Sequence, residues 1–226
     1  MVKKKGSALL MLFTDVDSEY DAEFNAWYEE EHLAEWLKVP GFLDAGRYQA
    51  VKGGPRYLVI YELESVAVTK TDAFKEVIQN PSEKTKRLAP TVVGRGTVRS
   101  LCTQIYPNEI DQDTMGRGMA PALQIGRMDV PAEVEAKYND YYDNNRTPRN
   151  LTIPSCSFVR RYHVIEGQPK YLTMYEFEHE NVPESQAWVD AHAIDTMHEY
   201  IGGSYGHAAG SPGVYRRSSP HGPSRL

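Results

Sequence analysis

Asn25, Tyr28 and His32 are spaced i, i+3 and i+7, which on a helix puts them in one stripe. An imidazole titrates near neutrality, so His32 can take and return a proton in a general acid/base step. Glu29 and Glu31 are near enough in sequence to orient it. A histidine at a helix end could equally cap a backbone carbonyl, and residue type alone does not separate the two. Arg47-Tyr48 and Arg161-Tyr162 are matching dipeptides on strand-like segments. Neighbouring strand residues point to opposite faces, so only one of each pair can enter a given pocket. A hydroxyl of Tyr48 or Tyr162 could steady an enolate- or phenolate-like charge, or the ring could simply pack. Tyr57, Tyr61, Tyr171 and Tyr175 alternate on a common face and read more readily as core than as pocket wall.

Other chemistries lack their spacing. His163, His192, Asp195 and His198 form no H-x-H, H-E-x-x-H or two-histidine-one-carboxylate set, so no metal site is expected. Gly202-Gly203-Ser204-Tyr205-Gly206 is not a dinucleotide loop, no G-x-x-x-x-G-K-[ST] occurs, and no G-x-S-x-G elbow supports a serine hydrolase. Lys+Arg total 25 against 31 Asp+Glu, a net charge of −6, which lacks the basic field of a nucleic-acid binder. Two cysteines in 226 residues make neither a disulfide framework nor a four-thiolate zinc site, and a reducing cytoplasm is the expected location. The start, MVKKKGSALLMLFTD, imitates a signal peptide, but its apolar run is short. It reads as a solvated Lys3–Lys5 tail followed by a strand, and no membrane segment is expected.

Residues 8–65 align with 122–179 at a constant offset of 114, without a gap and with 19 of 58 positions identical. Asn25 meets Asn139, Tyr28 meets Tyr142, Arg47-Tyr48 meets Arg161-Tyr162, and Tyr61-Glu62 meets Tyr175-Glu176. The chain therefore reads as a tandem duplication of a small domain, residues 1–112 and 113–226. His32 aligns with Arg146 and Glu31 with Asn145. Three readings of the second copy stay open: a degenerate scaffold, a holder of an anionic group through Arg146, or the site itself with Asp143 or Tyr142 as acid/base. Arg146 could also interact with a helix C-terminal dipole.

Strands are expected at Ala8–Thr14, Phe42–Val51, Arg56–Glu64 and within Thr91–Ile105, and helices at Ser18–Leu37, capped by Ser18, and Thr71–Gln79, with a helical turn at Ser82–Arg87. Lys52-Gly53-Gly54-Pro55 is a hairpin signal. The second copy repeats this, with helices Ala132–Asn145 and Glu184–Tyr200, a last strand near Val214–Arg217, a linker at Tyr106–Gly118 and a frayed, disordered tail from Ser218 to Leu226. The order β-α-β-β-α-β is the ferredoxin-like plan. Strands such as Tyr57–Tyr61 are apolar on both faces, so the second copy should cover the first. The expected fold class is α+β: two ferredoxin-like repeats packed sheet to sheet as a pseudo-two-fold α/β barrel.

Trp27-Tyr28-Glu29-Glu30-Glu31-His32-Leu33, Val39-Pro40-Gly41-Phe42 and Ala45-Gly46-Arg47-Tyr48 together resemble the dimeric α/β-barrel superfamily, near its EthD-like branch. The resemblance covers most of the first copy; the second follows by the internal alignment but lacks the histidine. It implies a pocket between helices and sheet, with a helix-one histidine at its wall, here His32. The superfamily includes cofactor-free monooxygenases, isomerases, cyclases, dehydratases and haem-dependent peroxidases, so it constrains fold more than reaction. No histidine here is marked as a haem ligand. The expectation is a cofactor-independent lyase, isomerase or cyclase for a small aromatic compound, as in retro-aldol release of an aldehyde in aromatic catabolism. His32, Tyr28 and Tyr48 would be catalytic, and Trp27, Trp36, Tyr142, Asn145, Arg146 and Tyr162 would bind substrate. The rivals are a cofactor-free oxygenase and a non-catalytic binding module. Two copies in one chain allow a monomer or a homodimer.

Overall fold

The protein, seen in a computed structural model, is described over residues 2–202 and 205–218. In the first half, β1 (Ala8–Val16) leads into α1 (Ser18–Trp27), a π-helical turn (Tyr28–His32) and α2 (Leu33–Trp36). Then come β2 (Phe42–Lys52), β3 (Tyr57–Leu63), three short helices α3 (Asp72–Gln79), α4 (Glu83–Leu88) and α5 (Pro90–Val93), and β4 (Gly94–Tyr106). After α6 (Gln112–Met115) the order recurs: β5 (Ala122–Asp129), α7 (Glu135–Tyr141), a second π-helical turn (Tyr142–Arg146), α8 (Thr147–Leu151), β6 (Cys156–Glu166) and β7 (Tyr171–Phe177). It closes with α9 (Gln186–Ala193), α10 (Met197–Ile201), the two-residue β8 (Gly206–His207) and β9 (Gly213–Arg217).

The strands run β4-β1-β3-β2 in one half and β9-β5-β7-β6 in the other, all pairs antiparallel. The halves join edge to edge through β2–β9 and β4–β6, which closes an eight-stranded barrel and leaves neither half-sheet an open edge. Alternation along the strands explains the packing. Leu9, Met11 and Phe13 of β1 point into the barrel with Tyr48, Leu58 and Tyr162. Ala8 and Leu10 face the helices with Trp27, Tyr28 and Tyr61. Every residue of β3 and β7 is buried, as strands covered on both faces require. Gly53 and Gly167, offset by 114, both take positive φ (71° and 104°) in the hairpins before β3 and β7, where a side chain would be strained.

Several sequence expectations are corrected. The N-cap position of α1 is Asp17, not Ser18, with no side-chain cap bond; Asp17 pairs with Arg95. The second copy's long helix starts later, at Glu135, and continues through its π turn to Leu151. The expected helix Glu184–Tyr200 breaks at Ile194–Thr196, where Asp195 Oδ1 accepts the Met197 N–H at 2.9 Å and Tyr141 Oη accepts the Thr196 N–H at 2.9 Å. These side chains satisfy the amides that would otherwise continue the helix. Lys5, read as part of a solvated tail, is 1% exposed and bonds Glu176. Most of the expected frayed tail, residues 219–226, lies outside the described residues. Among the described residues no helix is long and apolar enough to cross a membrane.

Candidate active site

Helix one lies over the outer face of β1 and β3, and α3–α5 close the side. Between them is a cavity of about 380 Å³, within the roughly 300–1,000 Å³ of small-molecule sites. Leu10, Leu12, Phe74, Val77 and Ile78 make its wall mostly apolar; Tyr28, His32, Glu35, Trp36 and Tyr61 bring polar atoms, as do Thr85, Lys86, Thr91 and Arg99. The π-helical turn, marked by the Leu33 N–H to Tyr28 C=O bond, widens the helix where Tyr28 and His32 face the sheet. Such turns often accompany functional positions.

His32 is 9% exposed. Its ring lies against Trp27 (centroids 4.1 Å) and edge-on to Tyr28 (5.0 Å). Trp36 Nε1 donates to His32 Nε2 at 3.0 Å, which places the ring proton on Nδ1. Nδ1 lies 3.3 Å from Glu35 Oε2, and neither atom has a hydrogen-bond partner. Burial pushes the His32 pKa down to about 3, so the ring is neutral at pH 7. Burial, with help from Glu31, raises the Glu35 carboxyl above its ordinary value, against Lys38. The Tyr61 hydroxyl is also buried without a partner, and burial raises its pKa, as it does for Tyr28. The arrangement offers a neutral imidazole N–H, a carboxylate of raised basicity and a free phenol around one apolar space. That set can remove a proton and receive an oxyanion.

Of the residues singled out in the sequence, Tyr28, His32 and Trp36 share this cavity, and Trp27 stacks behind His32, fully buried. Tyr48 does not join them. It points into the barrel and donates to the Ala120 carbonyl at 2.9 Å, because its neighbour Arg47 takes the helix side. Tyr162 is likewise in the barrel interior. Asn145 is exposed and accepts from Arg149 at 3.0 Å. Tyr142 and Arg146 line a separate cavity in the second half, so Arg146 cannot grip a ligand held by His32. The partner of His32 is Glu35, not Glu29 or Glu31. Glu29 lies 3.6 Å from Arg47, and Glu31 accepts from Ser82 at 2.5 Å. Glu35 was missed although i, i+3 neighbours meet on any helix. Tyr61, which reads as core, is buried in the helix-side core and lines the cavity as well.

The Arg47 guanidinium bonds Asn25 Oδ1 at 2.6 Å and lies 4.7 Å from the Tyr28 ring centroid. Arg161 does the same with Asn139 (2.7 Å) and Tyr142 (4.5 Å). The identities shared by the copies thus build a clamp that fixes helix to sheet.

Among the described residues no group of three His, Cys, Asp or Glu could hold a metal ion. Haem does not fit the first cavity either. His32 is its one imidazole, and Nε2, the nitrogen that would coordinate, already accepts the Trp36 N–H.

His32 makes stability acid-sensitive. Between its folded pKa of about 3 and an unfolded value of about 6.5, the unfolded chain holds a proton that the folded chain lacks. Stability therefore falls as pH drops below about 6.5, by about 1.4 kcal/mol per unit, and the effect is absent above about pH 7. Urea unfolding of wild type and His32→Gln at pH 7 and pH 5 measures it. The wild type should lose about 2 kcal/mol more than the variant on acidification; parallel losses would show that another group is responsible.

No protein-family model matches the chain, nor does any curated protein sequence. Solved structures do match. An anthrone oxidase-like protein superposes with TM-score 0.62 at 10% identity, covering 96% of this chain and 94% of its own. A provisionally assigned monooxygenase from Fusobacterium nucleatum gives 0.60 at 10% identity, covering 95% and 94%. A chlorite dismutase from Candidatus Nitrospira defluvii gives 0.57 at 12% identity, covering 95% and 92%. The shared property is the fold, an α+β barrel, over nearly the whole chain.

Proposed function

We propose that the first cavity is the active site of an enzyme that removes a proton from a small, largely apolar aromatic compound without an organic cofactor. The observation that carries this is the His32 Nδ1–Glu35 Oε2 pair, 3.3 Å apart and otherwise unpartnered, on an apolar wall. Glu35 accepts a proton from a C–H or O–H activated by a conjugated carbonyl or phenol. The electron pair moves into the ring system, and the oxyanion meets the His32 Nδ1–H or the Tyr61 hydroxyl. Trp36 supplies an aromatic wall, and Trp27 braces His32. If the proton comes from an alcohol β to that system, the C–C bond breaks, an aldehyde leaves, and the carbanion recovers a proton from Glu35. If the proton returns to another carbon, the product is an isomer or a ring. This is the lyase, isomerase or cyclase reading, in a cytoplasmic protein of aromatic catabolism near the EthD-like branch, its halves 1–112 and 113–226 descended from one unit.

A second reading shares the first step. The carbanion then transfers electrons to dioxygen and forms a C–O bond; the peroxide takes the proton held on Glu35, and loss of water with a second hydrogen from the same carbon leaves one oxygen atom as a carbonyl and sends the other out as water. The likeness to an anthrone oxidase-like protein favours it. One experiment tests both. Wild-type protein meets a panel of lignin-like and polyketide-like aromatics with and without air, and mass spectrometry reads the products. A lighter or equal-mass product formed without air supports the first reading. A product heavier by oxygen that needs air supports the second. No product from any compound, with ligands that still raise Tm, would overturn catalysis in favour of a binding module.

A further inference from the structure

The second half has its own cavity, about 230 Å³, at the place the internal alignment demands. Leu10, Leu12, Tyr28, His32 and Tyr61 of the first cavity become Gln124, Gly126, Tyr142, Arg146 and Tyr175, all in its lining. The exchange is chemical as well as positional. His32 becomes Arg146, and Glu35 becomes Arg149. Lys52, from the first half, joins Arg146, His192 and His207 around the space, and no carboxylate lines it among the described residues. Asp195 is the acid nearest these arginines. It pairs with Arg149 and lies 3.5 Å from Arg146 Nε, so one carboxylate serves two guanidiniums and one positive charge is left over. Arg146 Nε is buried without a hydrogen-bond partner. His192 Nδ1 faces the Trp188 carbonyl at 2.9 Å, an acceptor that holds the proton on Nδ1 and leaves Nε2 free. Trp188, Pro212 and Val214 form an apolar wall opposite the charge.

We infer that the second cavity binds a small organic monocarboxylate, its carboxylate on Arg146 and Lys52 and its apolar body against Trp188. An arginine that shares its one carboxylate, Asp195, with a second arginine and whose buried Nε has no hydrogen-bond partner is a strong carboxylate partner, and the apolar wall selects against a bare inorganic anion. The volume, below that of the first cavity, limits the ligand to a single ring or a short chain. The His32–Glu35 pair has no counterpart here, and the site is a binding site. The inference stands apart from the reaction proposed for the first cavity.

Benzoate is the probe, titrated by calorimetry into the full-length protein, with benzamide and inorganic phosphate as controls. Saturable benzoate binding is expected, with benzamide and phosphate each weaker by about tenfold or more. Arg146→Gln should weaken benzoate by about 10–100-fold, whereas His32→Gln, in the other cavity, should leave it unchanged. If Arg146→Gln does not fold, Lys52→Glu replaces it. Lys52 is an exposed side chain, and reversing its charge should weaken binding by about tenfold. The inference is overturned if benzoate does not bind, if benzamide or phosphate binds as well, or if His32→Gln abolishes binding while the arginine and lysine variants retain it.

Discussion

Glu35→Gln should lower turnover of an accepted substrate by about 10²–10⁴-fold while leaving Tm within about 2 °C of wild type. The amide keeps the shape of the carboxylate and can still meet the cavity, but it cannot take a proton. Glu35 is a better probe than His32 because its side chain is 26% exposed and supports little packing. His32→Ala would also empty the space between Trp27 and Trp36 and confound chemistry with stability. A pH profile adds a readout that loss of structure would not imitate. Glu35 is the group that must lose its proton, and burial and Glu31 raise its pKa, so the acid limb of kcat/KM should lie above the ordinary carboxylate value. Glu31→Gln removes the like charge and should move that limb toward lower pH. His32, at about 3, contributes no limb near neutrality. Full activity in Glu35→Gln, with the limb in place, would remove the carboxylate from the mechanism and return the proton step to another group.

The fold was legible because two regularities coincide. Period-two alternation with apolar residues on both faces demands cover for each sheet, and the 114-residue offset supplies an equal partner. The site was only partly legible, and the internal alignment explains why. Identities kept by both copies, Asn25, Tyr28 and Arg47 with Asn139, Tyr142 and Arg161, hold helix to sheet. Of the positions that differ, His32, Glu35 and Trp36 line the first cavity and Arg146 the second, beside tyrosines that both halves keep. Chemistry is therefore to be sought where the copies diverge. Tyr48 shows the opposite case: strand parity gives one member of Arg47-Tyr48 to the barrel interior, and here Arg47 finds Asn25 on the helix side while Tyr48 finds the Ala120 carbonyl inside. Lys5 reads as solvated because three consecutive lysines suggest solvent, yet it is buried. The contrary signal was Glu176, an acid in the apolar run Tyr171–Phe177 that needs a buried counter-ion.

That counter-ion belongs to a four-charge cluster whose disruption should have the largest effect on stability. Glu62 and Glu176 are equivalent positions of β3 and β7, both nearly inaccessible. Arg160, fully buried, bonds Glu176 at 3.0 Å and forms a two-pronged pair with Glu62. Lys5 reaches both Glu176 oxygens, at 2.8 and 2.9 Å. Burial alone would raise the Glu176 carboxyl, but Lys5 and Arg160 hold it below its ordinary value. Two acids from symmetric positions are thus neutralised by two cations from asymmetric ones; the counterpart of Arg160 is Gly46. Arg160→Met should cost about 3–5 kcal/mol, because Glu62 loses the only cation that pairs with it among the described residues while still buried. For a chain of this size that is a fall in Tm of about 6–20 °C. Adding Glu62→Gln to Arg160→Met should recover a large part of the loss, since the stranded charge, rather than the absent arginine, is the main penalty. Chemical denaturation of the single and double variants separates the cases. A loss under about 1 kcal/mol in Arg160→Met, or a double variant worse than the single by the full cost of Glu62→Gln alone, would mean that the cluster does not hold the two halves together electrostatically.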